Sequence, residues 1–329
     1  MNIGTPSEPT VKSIRSYLKE FLSDPDVIDT NPIIRWAIVN LFVAPFRPRS
    51  ILHQYQSIWT NNGSPLLVNS NNFLKKISNL NPNIIFELGM RYGDPSIESG
   101  LIKLKKSGVS KIILIPMFAQ YAQATSGSCI NKAIEIIHTL NLKYELIEYF
   151  YNQKFFIDNI VKSIAESQDY HESDFLLFSF HGLPKRHVKK SDLSNKHCLI
   201  KTKCCEDINK YNQMCYSHHC FETVNSVIKK LNPNKPYDIS FQSRFGIDEW
   251  LQPNTTDIIE KLAKKGIKKI SVICPAFIFD CLETLEEIAI RNNEYFKVAG
   301  GDQIKLIPSL NDNQEWIVGL SKYINETFV

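Results

Sequence analysis

The sequence predicts an α/β protein of two similar lobes with parallel sheets. Short apolar runs alternate with longer stretches of helical period, those runs are apolar almost throughout, and the chain weakly repeats itself. Alternating strands and helices are typical of parallel sheets, and strands covered on both faces appear as continuous apolar runs. The 329 residues are enough for two lobes of about 150 residues each.

Seven apolar runs are predicted as strands, and six stretches between them as helices. The strands are expected at 84–88, 111–116, 143–149, 174–180, 237–241, 268–273 and 304–307. The helices are expected at 97–106, 131–140, 153–165, 221–231, 256–264 and 282–292.

A weak internal repeat divides the chain. Met90-Arg91-Tyr92-Gly93 and Ser243-Arg244-Phe245-Gly246 both close predicted strands, and Gly4-Thr5-Pro6 corresponds to Gly182-Leu183-Pro184. The second pair is spaced more widely than the first, and a cysteine-rich stretch accounts for the excess. We therefore predict a first lobe over 1–150, completed by a C-terminal helix at 313–329. A second lobe is predicted over 151–312, with an insertion at about 192–217.

Composition excludes several classes of protein. The net charge of +4 is spread along the chain without a basic stripe interleaved with aromatic residues, which argues against nucleic acid. The longest apolar stretch, 33–46, contains Arg35 and Asn40 and is too short for a bilayer span. No secretory leader is recognisable at Met1, so a cytoplasmic location is expected. No strand is followed by a nucleotide-binding fingerprint.

His181 is the first candidate for chemistry, because it directly follows the apolar run 175–180 and precedes Gly182-Leu183-Pro184. Sites in open α/β sheets gather beyond the carboxyl ends of the strands, in this case in the cleft between the lobes. The alternative is a strand-end histidine that only hydrogen-bonds backbone.

A row of carboxylates is the second candidate. Asp280, Glu283 and Glu287 fall on one face of the predicted helix, which Asp280 is expected to cap. Adjacent carboxylates repel one another unless water, a proton or a metal ion compensates. The alternative is a solvated acidic face, but the row starts at a strand end, which favours a site. Imidazole and carboxylate together suit a divalent metal such as Fe(II).

Residues of the first lobe could line the opposite wall of that cleft. Arg91 and Tyr121 lie at predicted strand ends. The stretch 33–46, with Ile33 and Trp36, could form an amphipathic lip, although a buried helix explains it equally well.

Six motifs occur along the chain in the order in which the ferrochelatases carry them. They are Asn2-Ile3-Gly4-Thr5-Pro6, Gly63-Ser64-Pro65-Leu66, Gly89-Met90-Arg91-Tyr92-Gly93, Ser179-Phe180-His181-Gly182-Leu183-Pro184, Phe241-Gln242-Ser243-Arg244-Phe245-Gly246 and Asp280-Cys281-Leu282-Glu283-Thr284-Leu285-Glu286. The sequence thus resembles the ferrochelatase family, especially its Gram-negative bacterial form, over nearly the whole chain outside about 190–217.

The resemblance implies insertion of Fe(II) into protoporphyrin IX, with release of two pyrrole protons and formation of protohaem. It implies two Rossmann-like lobes around a porphyrin cleft, and no nucleotide. Compared with the family, the chain begins at the loop that should end the first strand, so either that strand is missing or the true start lies upstream. In both cases we expect the sheet of the first lobe to lose a strand. His181 and Glu283 match the paired metal-site residues of the family, with Asp280 and Glu287 behind Glu283. Whether His181 binds iron or accepts a proton stays open. The apolar stretch 33–46 suits a hydrophobic macrocycle and leaves open a peripheral contact with the inner membrane.

Five of the eight cysteines fall between Cys198 and Cys220. Reduced surface thiols, a disulfide and zinc are alternatives, but adjacent Cys204 and Cys205 fit the paired spacing of structural zinc sites poorly. Some bacterial ferrochelatases hold a [2Fe–2S] cluster in an internal insertion. That resemblance implies a cluster on Cys198, Cys204, Cys205 and Cys215.

Two other functions compete with the enzyme. One is a porphyrin or haem carrier without turnover, against which His181 and Glu283 argue. The other is a chelatase for coproporphyrin or another tetrapyrrole, whose additional carboxylates would favour more cations than the stretch 33–46 provides.

Overall fold

The computed structural model describes residues 1–206, 208–244, 246 and 248–328, so Phe245 of the second repeated motif lies outside the described part. Its strands are β1 (Asn2–Gly4), β2 (Met90–Tyr92), β3 (Lys111–Leu114), β4 (Lys143–Leu146), β5 (Phe175–His181), β6 (Tyr237–Gln242), β7 (Lys269–Ile273) and β8 (Gln303–Leu306). Every described strand pair is parallel. The predicted α/β class with parallel sheets is confirmed.

The α-helices lie between and around these strands. They are α1 (Val11–Ser23), α2 (Pro32–Ala37), α3 (Ala44–Ile58), α4 (Pro65–Leu80), α5 (Ile97–Lys106), α6 (Ser128–Leu140), α7 (Lys154–Ala165), α8 (Gln168–His171), α9 (Lys185–Lys190), α10 (Tyr216–Leu231), α11 (Thr255–Lys264), α12 (Asn293–Val298) and α13 (Gln314–Phe328). Among the described helices, none is long and apolar enough to cross a bilayer.

The chain divides into two compact units. Unit 1 contains Met1–Phe118, Ala122–Tyr149 and Asp312–Val329, and unit 2 contains Ala119–Tyr121 and Phe150–Asn311. In unit 1, α13 packs on α4, where the rings of Trp316 and Phe73 lie 6.3 Å apart.

The start of the chain does form a strand, so the expectation of a missing first strand is wrong. Asn2 pairs with Met90 and Gly4 with Tyr92, and the amino group of Met1 donates to the Ile115 carbonyl over 2.7 Å. A Cβ at Gly4 would lie 1.8 Å from the Tyr92 carbonyl oxygen, so only glycine allows this approach. The predicted strand at 84–88 is also wrong. The pairing with β1 starts after these residues, at Gly89, whose carbonyl accepts from the Asn2 backbone N–H.

Unit 2 is built on one four-stranded sheet with the order β6-β5-β7-β8. All residues of β5 before His181 are buried, as expected for a central strand covered on both faces. His181 is opposite Gln242, so β5 and β6 end side by side. The sheet therefore brings two of the predicted motifs to one edge.

Three of the described helical segments are π-helical, at Ile38–Val43, Gln123–Gly127 and Glu283–Asn292. The last one corresponds to the predicted helix at 282–292. It begins at Glu283 with Leu282 at the N-cap position and has no side-chain cap, so the prediction that Asp280 caps it is wrong. π-Helical turns are rare and frequently occur at functional sites.

Candidate active site at the end of strand β5

His181 is the last residue of β5, and its ring is oriented by the next residue. Nδ1 lies 2.6 Å from the Gly182 carbonyl oxygen. Because a carbonyl oxygen only accepts, Nδ1 carries the hydrogen and Nε2 keeps its lone pair in the neutral ring. A Cβ at Gly182 would lie 2.8 Å from the Gln242 carbonyl oxygen and 3.1 Å from the Trp250 ring, so glycine is required here.

Gln242 and Ser243 connect the end of β6 to the carboxylate segment. The Gln242 side chain donates to the Glu283 carbonyl over 2.8 Å and accepts from the Ser179 hydroxyl over 2.7 Å. Ser243 donates to the Glu287 carboxylate from its backbone N–H at 2.9 Å and from its hydroxyl at 2.5 Å. The Glu283–Asn292 segment is therefore fastened to the sheet edge that carries His181.

A fourth carboxylate, Glu286, was not singled out from the sequence. It is buried, and burial raises its pKa despite the opposing charge of Arg291, whose Nη2 lies 3.2 Å away. The same guanidinium lies 3.8 Å from Glu287. The motif contained Glu286, but no sequence signal distinguished its burial from the exposure of an ordinary acidic face.

Asp280 accepts hydrogen bonds from three groups just before the π-helical segment. Its carboxylate accepts from the Thr284 hydroxyl at 3.0 Å, the Ser309 backbone N–H at 3.3 Å and the Asn311 amide at 2.7 Å. Its backbone N–H donates to the Asn311 side chain in return. These contacts fix the loop that precedes the π-helical segment.

In unit 1, Arg91 belongs to a closed polar cluster. Its Nη2 pairs with the Asp24 carboxylate and its Nε donates to the Ser128 hydroxyl over 2.7 Å. Ser128 and Tyr92 also donate to Asp24, over 2.6 and 2.8 Å. Burial acts to raise the pKa of Asp24, but these hydrogen bonds and the Arg91 charge hold it below the ordinary value.

The other predicted binding residues differ in exposure. Ile33 is 78% exposed and Trp36 59%, which contradicts a buried helix for this stretch; Phe42 and Phe46 are exposed as well. Tyr121, expected in the first lobe, belongs to unit 2, where its backbone N–H donates to Nδ1 of His219 over 3.1 Å.

Four cysteines of the insertion lie near one another. The sulfurs of Cys204 and Cys205 are 3.8 Å apart. The neighbouring Cys198 thiol contributes most to raising the pKa of Cys215 to about 12, and Cys205 acts on the same thiol. All cysteines of the chain are unpaired, which excludes a disulfide in this structure.

Polar groups surround these sulfurs. The Leu199 N–H points at the Cys204 sulfur over 3.3 Å, and the Cys205 thiol lies 3.3 Å from the Ser217 hydroxyl. Two buried ring nitrogens nearby, Nδ1 of His197 and Nε2 of His218, have no hydrogen-bond partner among the residues that the structure describes. Within the described ranges, no three His, Cys, Asp or Glu side chains are grouped so as to hold one metal ion.

Asp192 organises the start of the cysteine segment. Its carboxylate accepts from the backbone N–H of His197 at 2.7 Å and of Cys198 at 2.9 Å, and from the Ser194 hydroxyl at 2.6 Å. Burial opposes ionisation, but these donors hold the pKa of Asp192 far below the ordinary value. The carboxylate thus stays charged and fixes the first cysteine.

Comparisons with known proteins agree on one family. The family model described as ferrochelatase matches residues 1–328. A ferrochelatase of Coxiella burnetii is 42% identical over 98% of this chain and 91% of its own length. Those of Bdellovibrio bacteriovorus and Pseudomonas fluorescens are 39% and 38% identical over 98% of this chain, covering 97% and 95% of their own lengths.

A solved structure shares the fold. SirB from Bacillus subtilis, solved with Fe3+, superposes with a TM-score of 0.55 at 12% identity, over 79% of this chain and 88% of that chain. At this identity the likeness shows the fold alone, and the predicted chelatase-like fold is confirmed.

Proposed function

The chain belongs to the ferrochelatase family, which forms protohaem by inserting Fe(II) into protoporphyrin, and we propose that His181 and Glu283 are its reacting residues. The observation that carries this proposal is the orientation of His181. Its Nδ1–H is hydrogen-bonded to the Gly182 carbonyl, so Nε2 offers a lone pair at the end of β5. Gln242, at the end of the neighbouring strand, hydrogen-bonds the backbone of Glu283 and so connects Glu283 to the same sheet edge.

The reaction exchanges two pyrrole protons for one Fe(II), so the charges balance only if both protons leave the porphyrin. Nε2 of His181 can accept one proton or bind the entering iron, and general-base assistance of this kind contributes about 10²–10⁴ in rate. Glu283 and Glu287 can hold the arriving cation or pass protons to water. Burial raises the pKa of Glu286, so this carboxylate is suited to carrying a proton at a pH nearer neutral than an ordinary glutamate.

Asp280 is assigned a positioning role here. Three donors already occupy its carboxylate, and one of them, Thr284, belongs to the π-helical segment that carries Glu283 and Glu287. Asp280 therefore acts by fixing where that segment starts.

The exposed apolar side chains of 33–46 provide a surface for a hydrophobic macrocycle. Ile33 and Trp36 would contact the porphyrin, and the same stretch would contact the membrane at the periphery. Trp36→Ser should raise the KM for protoporphyrin and reduce sedimentation with phospholipid vesicles. Unchanged values in both measurements would contradict this role.

The activity is tested by an anaerobic assay of the purified protein with Fe(II), in which porphyrin fluorescence falls on insertion. Turnover of protoporphyrin well above that of coproporphyrin is expected. A preference for coproporphyrin would favour the alternative chelatase. Tight protoporphyrin binding without loss of fluorescence would favour a carrier.

For the insertion we propose a [2Fe–2S] cluster on Cys198, Cys204, Cys205 and Cys215. Four neighbouring thiols, two of them with sulfurs 3.8 Å apart, and an N–H directed at a sulfur fit a centre that takes two thiolates on each of two irons. Such a cluster would cross-link the segment. Metal insertion involves no net electron transfer, so the cluster has no step in it.

Cys220, buried in α10 beyond the segment, provides the matched control for this proposal. Anaerobically purified protein should be coloured and contain iron and sulfide. Cys204→Ser should lose the visible absorbance and Cys220→Ser should keep it. A colourless protein without iron and sulfide, or one holding a single zinc ion, would overturn the cluster.

A further inference from the structure

The peptide group that joins His181 to Gly182 is held at both edges. Its carbonyl oxygen accepts from the Tyr216 hydroxyl over 2.8 Å, and its N–H donates to the Gln242 carbonyl over 2.8 Å. Both bonds act on one planar unit, so together they prevent its rotation. The next carbonyl along the chain, that of Gly182, is the one that accepts from Nδ1 of His181.

Tyr216 lies in the first turn of α10, directly after Cys215, which occupies the N-cap position. Its ring is buried, and the buried Cys220 lies one helical turn later. In the same turn, Ser217 contacts the Cys205 thiol and Nδ1 of His218 lies 2.9 Å from the Cys205 carbonyl oxygen. One helical turn thus contacts both the cysteine segment and the backbone of His181.

We infer that Tyr216 is a positioning residue for His181 and links the cysteine-rich insertion to the metal-inserting site. With the His181 carbonyl bound, the Gly182 carbonyl stays within reach of Nδ1–H, and Nε2 remains the nitrogen with the lone pair. Without the phenol hydroxyl, the peptide gains freedom to rotate and the ring loses its fixed tautomer. This inference rests on the role proposed above for His181.

Tyr216→Phe removes only the hydroxyl, and Tyr170→Phe is the matched control. Tyr170 is also a buried tyrosine of unit 2, in α8 at the opposite end of β5. Loss of the outer partner that orients a metal-site histidine costs about 10–100-fold in activity, and Tyr216 holds the peptide next to that partner, the Gly182 carbonyl. Tyr216→Phe should lower kcat/KM for Fe(II) by that factor and leave the KM for protoporphyrin unchanged. Tyr170→Phe should leave both unchanged.

A spectroscopic signature separates positioning from general loss of stability. In the ¹⁵N spectrum of histidine-labelled protein, identified by the signal missing in His181→Ala, wild-type His181 should be in the Nδ1–H form. Tyr216→Phe should show a mixture of tautomers, and Tyr170→Phe should not. Wild-type kinetics together with an unchanged His181 signal in Tyr216→Phe would overturn the inference. Full activity of His181→Ala would remove the proposed catalytic role, while the tautomer measurement would still decide whether Tyr216 positions the ring.

Gly182→Ala tests the same peptide from its other edge, and serves if Tyr216→Phe does not fold. The added methyl would lie 2.8 Å from the Gln242 carbonyl oxygen and displace the peptide. It should reproduce the selective fall in kcat/KM for Fe(II). A folded Gly182→Ala protein with wild-type kinetics would contradict the inference.

Discussion

The ends of β2 and β5 both carry motif residues with strong polar groups, yet the two environments differ. At β2, the donors of Arg91, Tyr92 and Ser128 converge on the single carboxylate of Asp24. At β5, one nitrogen of His181 is bound to backbone and the other keeps its lone pair. At β2 the named donors and the carboxylate are hydrogen-bonded to one another, whereas at β5 Nε2 of His181 is available for a substrate.

This difference shows that a strand-end position alone does not identify a reacting residue. A buried ion pair with every partner present is a structural unit, because removing one member leaves the other charged and unpaired. A histidine with one nitrogen fixed is prepared for proton or metal chemistry. Substitutions at the two strand ends should therefore affect different quantities.

The largest expected effect is at β5. His181→Ala should lower kcat by about 10²–10⁴, because the only proposed base at that strand end is lost. The unfolding midpoint should change little, since the ring is only half-buried and its described hydrogen bond goes to the adjacent Gly182 carbonyl. Retention of more than about a tenth of wild-type kcat would remove His181 from the reaction.

Glu283→Gln should have the second largest effect and reduce turnover about 10–100-fold. The amide keeps the shape of the side chain but loses the affinity of the carboxylate for protons and metal, so kcat should fall more than porphyrin binding. Glu294→Gln, an exposed glutamate of α12, should behave as wild type. If the porphyrin Kd rises while kcat is unchanged, Glu283 lines the porphyrin-binding site and takes no part in the reaction.

At β2, Asp24→Asn should destabilise the protein by about 3–5 kcal/mol in urea unfolding, because Arg91 loses its buried partner. Turnover per folded molecule should stay close to wild type. A large fall in kcat with unchanged stability would instead place Arg91 in the reacting site.

The same pair predicts a pH dependence. The pKa of Asp24 is depressed in the folded state, so its stabilisation is present above the unfolded pKa of about 3.9. That stabilisation is lost as the pH falls through the lower, folded pKa. The stability difference between wild type and Asp24→Asn should therefore shrink on acidification. A difference that does not depend on pH would contradict the ion-pair account.

The smallest effect is expected at Asp192, which holds the cysteine segment rather than the sheet. Asp192→Asn should lower hydrogen-exchange protection of the His197 and Cys198 amides by about tenfold, since an amide is a weaker acceptor than a carboxylate. Global stability should change little. Unchanged protection would show that the segment is held by other contacts.

Much of the fold was predictable because the spacing and the number of apolar residues in a segment reflect how that segment is buried. The helix at 97–106 coincides with α5, and the six predicted strands from 111 onwards occur with small shifts at their ends. Strand β2 was misplaced because its pairing depends on β1, only three residues long. A pairing partner that short leaves no apolar pattern.

The site was predictable to the level of motifs, not contacts. His181 and Glu283 could be chosen from strand-end position and chemistry. The bond from Nδ1 to Gly182, the links through Gln242 and the burial of Glu286 depend on tertiary packing. Tyr216 lies 35 residues after His181, near the end of the insertion, so no local pattern in the sequence connects the two residues.

The central claim is that His181 and Glu283 act as one metal-inserting site, and a double-mutant cycle tests it directly. The kcat/KM for Fe(II) is measured for wild type, His181→Ala, Glu283→Gln and the double variant. Residues that act as a unit are strongly non-additive, so the double variant should lose little more than His181→Ala alone. Losses that multiply, as expected for independent sites, would contradict the account.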